Sequence, residues 1–178
     1  LINNILDLAT IDAGRMQLDL SSVDIRETMM AAAEGVQDRM VSGGVTLDIS
    51  APRNIGNFIA DKLRLRQILF NLLANALSFS PPGSIVTLRA ERRSDTVVFS
   101  VTDTGPGIPP DMLKKVFDWF ETHALGSQHR GPGIGLSLVR SFVELHGGEV
   151  TIDSAVGQGT TVTCTFPLAE TANLSAAE

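Results

Sequence analysis

The chain has 178 residues, 43% of them hydrophobic and 19% charged, enough apolar material for one buried core plus a short attached segment and too much for a disordered chain. A net charge of −6 excludes a broadly basic surface, so neither a nucleic-acid nor an anionic-membrane partner is expected. The single cysteine, Cys164, sits in an alternating run and excludes an internal disulfide framework; it reads as a core residue in a reducing, cytoplasmic setting.

Leu1, Ile5 and Leu8, with Ile2, Ala9 and Ile11 beside them, follow helical spacing up to a stop at Gly14. The chain opens inside this helix without an initiator Met, so the natural N-terminus, and any membrane anchor, is expected elsewhere. Met16 to Leu20 alternates like a strand. Asp24 with Glu27 makes a capping pair, and Ile25, Met29, Ala32, Val36 and Met40 continue as one amphipathic helix to Gly43 and Gly44. A strand at Val45–Ile49 and a loop around Pro52 lead to a long helix from Asp61 to Ser78. Ile85–Ala90 and Thr96–Val101 read as a hairpin. A short helix follows Pro109 and Pro110, a helix runs from Ile134 to Leu145, and Glu149–Asp153 with Thr160–Phe166 forms a last hairpin turning at Gly157 and Gly159. Strands in hairpins among helices predict an α+β fold, with helices stacked on one face of a mixed sheet. Ala169 to Glu178 is small and polar and is expected to fray.

Three segments carry candidate chemistry. On the long helix, Gln67, Asn71, Asn75 and Ser78 fall within one narrow arc, opposite Leu65, Leu69, Leu72, Leu73 and Ala76. A carboxamide oxygen is a neutral, hard ligand suited to Mg²⁺ that already carries phosphate charge, although two asparagines on a helix can also simply face solvent. Asp103-Thr-Gly105-Pro-Gly107-Ile108 follows a strand. Its glycines permit a sharp turn close to a flat ligand, and the carboxylate can accept from an exocyclic amine such as that of adenine; the plainer alternative is a Gly/Pro turn that contains an aspartate. Gly131-Pro-Gly133-Ile-Gly135-Leu136 leads into a helix N-terminus, where closely spaced backbone N–H groups cradle phosphate. It follows a loop and not a first strand, and there is no Walker lysine, so neither a Rossmann nor a P-loop site is indicated. Val116-Phe-Asp-Trp-Phe120 lies between these segments and by itself signifies core packing.

In this order, Asn71–Ser80, Asp103–Ile108, Val116–Phe120 and Gly131–Leu136 resemble the N, G1, F and G2 boxes of the sensor histidine kinase catalytic domain. The likeness covers about Asp24 to Phe166, and Leu138–Gly148 is reminiscent of the alphaproteobacterial cell-cycle kinases of the PleC, DivJ and DivL group. It implies the Bergerat two-layer α/β sandwich, with residues 1–15 ending the second dimerisation-domain helix, 16–168 forming the ATP-binding domain and 169–178 a tail. It further implies ATP and Mg²⁺ as ligands. Asn75 would hold Mg²⁺, with Asn71 beside it or acting through water. Asp103, Gly105, Gly107 and Ile108 would form the adenine pocket, with Phe117 and Phe120 in the F box. Gly131, Gly133, Gly135 and Leu136 would line the phosphates, Arg130 would contact them, and 121–130 would be a lid. Related ATPases carry a glutamate where this chain has Asn71, and an amide cannot take a proton from water; transfer to an outside nucleophile is therefore favoured. The implied reaction is γ-phosphoryl transfer to a histidine on the dimerisation domain of the same, homodimeric protein, followed by a response regulator or phosphotransfer protein. Relatives often place Lys or Arg where Ser78 stands, which leaves a degenerate module that acts by conformation as the alternative. His123 and His129 read as solvent-exposed, His146 as a helix C-terminal residue favoured by the dipole, and Leu1, Ile5 and Leu8 as apolar positions deprived of their usual partners.

Overall fold

The computed structural model describes residues 2–117 and 135–168. The elements are α1 (Ile2–Asp12), β1 (Leu20–Asp24), α2 (Ile25–Glu34), α3 (Gln37–Gly43), β2 (Thr46–Ser50), β3 (Asn57–Asp61), α4 (Lys62–Phe79), β4 (Ile85–Arg92), β5 (Thr96–Asp103), α5 (Pro110–Leu113), α6 (Gly135–Leu145), β6 (Glu149–Ser154) and β7 (Thr160–Pro167). A five-stranded mixed sheet has the order β2-β4-β5-β7-β6, parallel between β2 and β4 and antiparallel elsewhere. A separate ribbon pairs β1 with β3.

Alternation decides which face of the sheet is covered. Val86, Leu88, Ala90, Val97, Phe99, Val101, Val162, Cys164 and Phe166 are buried on one side, against α4 and α6, and α2 packs in turn on α4. The intervening positions are largely Thr, Ser and Arg, suited to the solvent side. The fold is therefore α+β with the two-layer arrangement expected. Phe58, Phe99 and Phe166 pack as a triad with ring centroids 5.8–6.1 Å apart, Phe58 tilted on the other two and Phe99 edge-on to Phe166. Burial pushes the Cys164 thiol up to about 12, as befits a small core residue.

Several local expectations are corrected. The strand expected at Met16–Leu20 begins only at Leu20, because pairing with β3 runs from Leu20↔Asp61 to Asp24↔Asn57; Met16 packs against the core instead. The single helix expected over 25–40 breaks at Gly35 and Val36 into α2 and α3, where the Phe70 ring lies 3.1 Å from where a Cβ on Gly35 would sit. Asp24 does cap α2, accepting from the Glu27 N–H at 2.8 Å, whereas the Glu27 carboxylate turns to Lys62.

Leu8 is not deprived of partners. It is 1% exposed and belongs to the core, while Ile5 and Leu6 remain exposed. Polar contacts hold α1 in the same place: Arg64 Nη1 donates to Asp7 Oδ2 at 3.0 Å and to Gln67 Oε1 at 3.1 Å, and Gln67 reaches Asn4 at 3.4 Å. The guanidinium also lies 5.0 Å from the centroid of the Phe142 ring.

His146 is a neutral junction and not a charged dipole partner. Its Nε2 accepts from the Asp61 N–H at 3.1 Å, so Nδ1 carries the proton and donates to the Phe142 carbonyl at 2.7 Å. Burial lowers its pKa below the ordinary 6.5, with the Phe142 carbonyl and the Asp61 charge opposing. A histidine depressed in the folded state is protonated first in the unfolded chain. Its contribution is complete above about pH 6.5 and declines as the pH falls below that value. His146→Gln should therefore flatten the fall in urea-unfolding free energy between about pH 7 and 5; an unchanged slope would remove His146 as its source.

Candidate functional site

The helix α4 starts where Asp61 Oδ1 accepts from the Arg64 N–H at 3.0 Å, while Oδ2 takes the Asp19 N–H at the same distance. Leu65, Ile68, Leu69, Leu72, Leu73, Ala76 and Leu77 go to the core. The opposite stripe is divided along its length: Arg64 and Gln67 are occupied by α1, and Asn71, Asn75 and Ser78 continue it, each half-buried. The buried Asn71 amide nitrogen has no hydrogen-bond partner. An unmet buried donor costs about 1–3 kcal/mol, which a ligand acceptor would recover. Ser78 Oγ turns back to the Ala74 carbonyl at 2.7 Å, so its proton is committed to its own helix.

The last residue of β5, Asp103, is buried, and its Oδ1 accepts from the Gly105 N–H at 2.8 Å. Burial raises its pKa, while backbone hydrogen bonds from Gly105 and Thr160 pull the other way. The turn that follows is held by close backbone contacts. A Cβ on Gly105 would come within 2.7 Å of the Phe79 carbonyl at the end of α4, and one on Gly107, at φ +71°, would overlap the Ala155 carbonyl. Gly157 N–H donates to the Pro106 carbonyl at 2.8 Å, and Ile108 N–H to Ser154 Oγ at 2.9 Å. The β6–β7 turn thus clasps the Asp103–Ile108 segment against the end of α4.

Ser154, Gly159 and Thr160 take part in this clasp and were not anticipated as site residues. Asp103, Thr160 and Ser154 stand in register across β5, β7 and β6. The usable signal was a hydroxyl residue ending each strand where its other inward positions are Val150, Ile152, Val162, Cys164 and Phe166. Among the remaining expected residues, Phe117 is half-buried after buried Val116, Gly135 opens α6 with nothing within 4 Å of an added Cβ, and Leu136 packs on the core. Phe120, Arg130, Gly131 and Gly133, together with His123 and His129, lie outside the described residues.

A helix bearing stacked asparagines, laid on a mixed sheet beside an aspartate–glycine turn, defines a nucleotide-binding class of fold. Residues 60–170 match the family described as histidine kinase-, DNA gyrase B-, and HSP90-like ATPase, and the chain belongs to it. Sensor protein DivL of Caulobacter vibrioides is 40% identical over 93% of this chain and 21% of its own length. Circadian input-output histidine kinase CikA of Synechococcus elongatus is 39% identical over 94% of this chain and 23% of its own. Histidine protein kinase DivJ of C. vibrioides is 40% identical over 94% of this chain and 28% of its own. The chain therefore spans only about a fifth to just over a quarter of these relatives. Full-length ShkA, crystallised in complex with AMPPNP, superposes with a TM-score of 0.84 at 32% identity, covering 94% of this chain and 35% of that one.

Gly107→Ala and Gly83→Ala separate close approach from backbone strain, since Gly83 has φ +83° and open space around it. The Gly83 change should cost about 1 kcal/mol, whereas Gly107→Ala should cost more than about 2 kcal/mol in denaturant unfolding. Equal losses would mean that the Ala155 contact contributes nothing.

Proposed function

We propose that the chain is the ATP-binding catalytic domain of a sensor histidine kinase, that it binds Mg·ATP, and that its parent protein passes the γ-phosphoryl to a histidine on a dimerisation domain. The observation that carries this reading is the unpartnered buried amide of Asn71, one turn from Asn75 on the half-buried stripe of α4. Bound Mg·ATP would supply the transferable phosphoryl group and the metal that neutralises its charge. Asp103 would accept from the adenine amine in a turn shaped by Gly105, Gly107 and Ile108, with Phe117 and Phe120 flanking the site. Asn75 would give a carboxamide oxygen to Mg²⁺ and Asn71 would donate to a phosphate or to water. No three His, Cys, Asp or Glu side chains converge on a metal position among the described residues, which suits an ion that brings phosphate oxygens and waters with it. Gly131, Gly133, Gly135 and Leu136, with Arg130, would surround the phosphates.

Asn71 cannot serve as a general base, because its amide does not take up a proton near neutrality. That favours transfer to an outside nucleophile over activation of water. On this reading residues 1–15 end the second dimerisation-domain helix, 16–168 form the catalytic domain and 169–178 a tail. The parent is a homodimer that serves a response regulator or phosphotransfer protein, in the cytoplasm or anchored at the inner membrane. No helix among the described residues is long and apolar enough to cross a membrane.

Calorimetric titration with ATP, with and without Mg²⁺, tests the site. Mg²⁺ should tighten binding on the order of tenfold or more, and Asn75→Ala should close that gap. An equal gap in both proteins would place Asn75 outside the metal site. One observation favours a second reading, that of a regulatory module with weak or no transfer: Ser78 brings no cation to the stripe and spends its proton on Ala74. Ser78→Lys separates the two. At about 4 Å a lysine and a phosphate interact by roughly 4 kcal/mol at an effective dielectric of 20, which screening and side-chain entropy reduce to about 1–2 kcal/mol net. The lysine should thus rescue a weak wild-type ATP affinity about tenfold if the pocket is degenerate, and add nothing if another donor already fills that role.

A further inference from the structure

The hydroxyl of Ser154 has one hydrogen and two lone pairs, and its neighbours use all three. Its proton goes to the Gly159 carbonyl at 2.9 Å, and one lone pair takes the Ile108 N–H at 2.9 Å. Thr160 Oγ1 lies 2.8 Å away. With the serine proton already spent, the threonine must be the donor in that bond. Thr160 Oγ1 is then left with lone pairs alone, and it cannot donate to anything else. It stands directly opposite Asp103 in the β5–β7 register, and the Asp103 carboxylate is likewise an acceptor when ionised. The end of the sheet therefore presents two acceptors side by side.

We infer that Ser154 is a positioning residue that locks the Thr160 hydroxyl as an acceptor and thereby sets the site's preference for a base bearing an exocyclic amine over one bearing a carbonyl at the same position. The inference rests on the ATP reading. An amine has two hydrogens to give, and Asp103 with Thr160 offers two acceptors. A carbonyl there meets lone pairs only, and nothing can turn to greet it while Ser154 holds the threonine proton. Without the serine oxygen that proton is released, and Thr160 can rotate to donate to a carbonyl. Ser154 also anchors Ile108, so a loss of overall affinity alone would not distinguish its roles. The choice between bases does.

The test compares ATP with ITP, whose base carries a carbonyl in place of the 6-amino group, in calorimetric or competition titrations of the chain. Wild type should prefer ATP, and Ser154→Ala should reduce that preference by about fivefold or more while leaving the ratio of ATP to ADP affinities unchanged. Thr160→Val removes the hydroxyl at nearly constant shape, and adding Ser154→Ala to it should leave the ATP-to-ITP ratio where Thr160→Val alone put it. If Ser154→Ala does not fold, Ser154→Cys, with a poor acceptor of similar size, should show the same narrowing. A preference within about twofold of wild type in the folded single variant, or an equal narrowing when Thr160 is already Val, overturns the role of Ser154. Wild type that binds neither nucleotide overturns the ATP reading together with it, whereas wild type that prefers ATP with unaltered variants overturns the role of Ser154 alone.

Discussion

The burial of one face of α4 is the constraint on which the other arrangements depend. Seven apolar side chains from Leu65 to Leu77 enter the core, each worth about 1.5–3 kcal/mol when fully buried for the larger aliphatics. That commitment fixes the rotation of the helix. It leaves one polar stripe in which, at 100° per residue, Arg64, Gln67, Asn71, Asn75 and Ser78 fall within about 80° of arc. The N-terminal part of the stripe secures α1 and the C-terminal part lines the candidate site. Both therefore report on the same rigid element.

The opposite wall is made of backbone. Gly105 lies under the Phe79 carbonyl, Gly107 against Ala155, and Gly159 against the Asp103 carbonyl, each at a separation that a Cβ would violate. Backbone packed on backbone has few soft degrees of freedom, so the position of the Asp103 carboxylate is set by the sheet register and not by a side-chain rotamer alone. The same closeness accounts for its electrostatics. Desolvation raises its pKa, and the Gly105 and Thr160 amides compensate in part.

Elements with strong periodicity and local partners were legible in the sequence: the helix of the asparagines, the β4–β5 and β6–β7 hairpins, and the cap at Asp24, though not the turn of Glu27 towards Lys62. Elements whose partners are remote were not. β3 is only five residues long, and it pairs with β1, 33 or more positions upstream, so no local partner marks it. The break between α2 and α3 was hidden because Val36 supplies the next apolar position at helical spacing, although the chain stops there to pass the Phe70 ring. Leu8 looked orphaned because sequence cannot say that a partner lies within the same chain. Ser154 fell between the two expected strands and Thr160 read only as the first residue of one, since a hydroxyl at a strand end has no periodicity to betray which groups it bonds.

Topology has a consequence for how this molecule assembles. β2 and β4 are parallel, and a parallel pair needs a crossover; here the chain makes it through β3 and α4. The helix that carries Asn71 and Asn75 is thus the connection that lets the edge strand join the sheet. A nascent chain cannot complete this edge without having laid that helix across the rest, and loop-closure entropy makes this long-range step slower than the zipping of the two hairpins. The asparagine stripe and the edge strand β2 thus depend on one connection, so an arrangement of the chain without that helix in place would lack both.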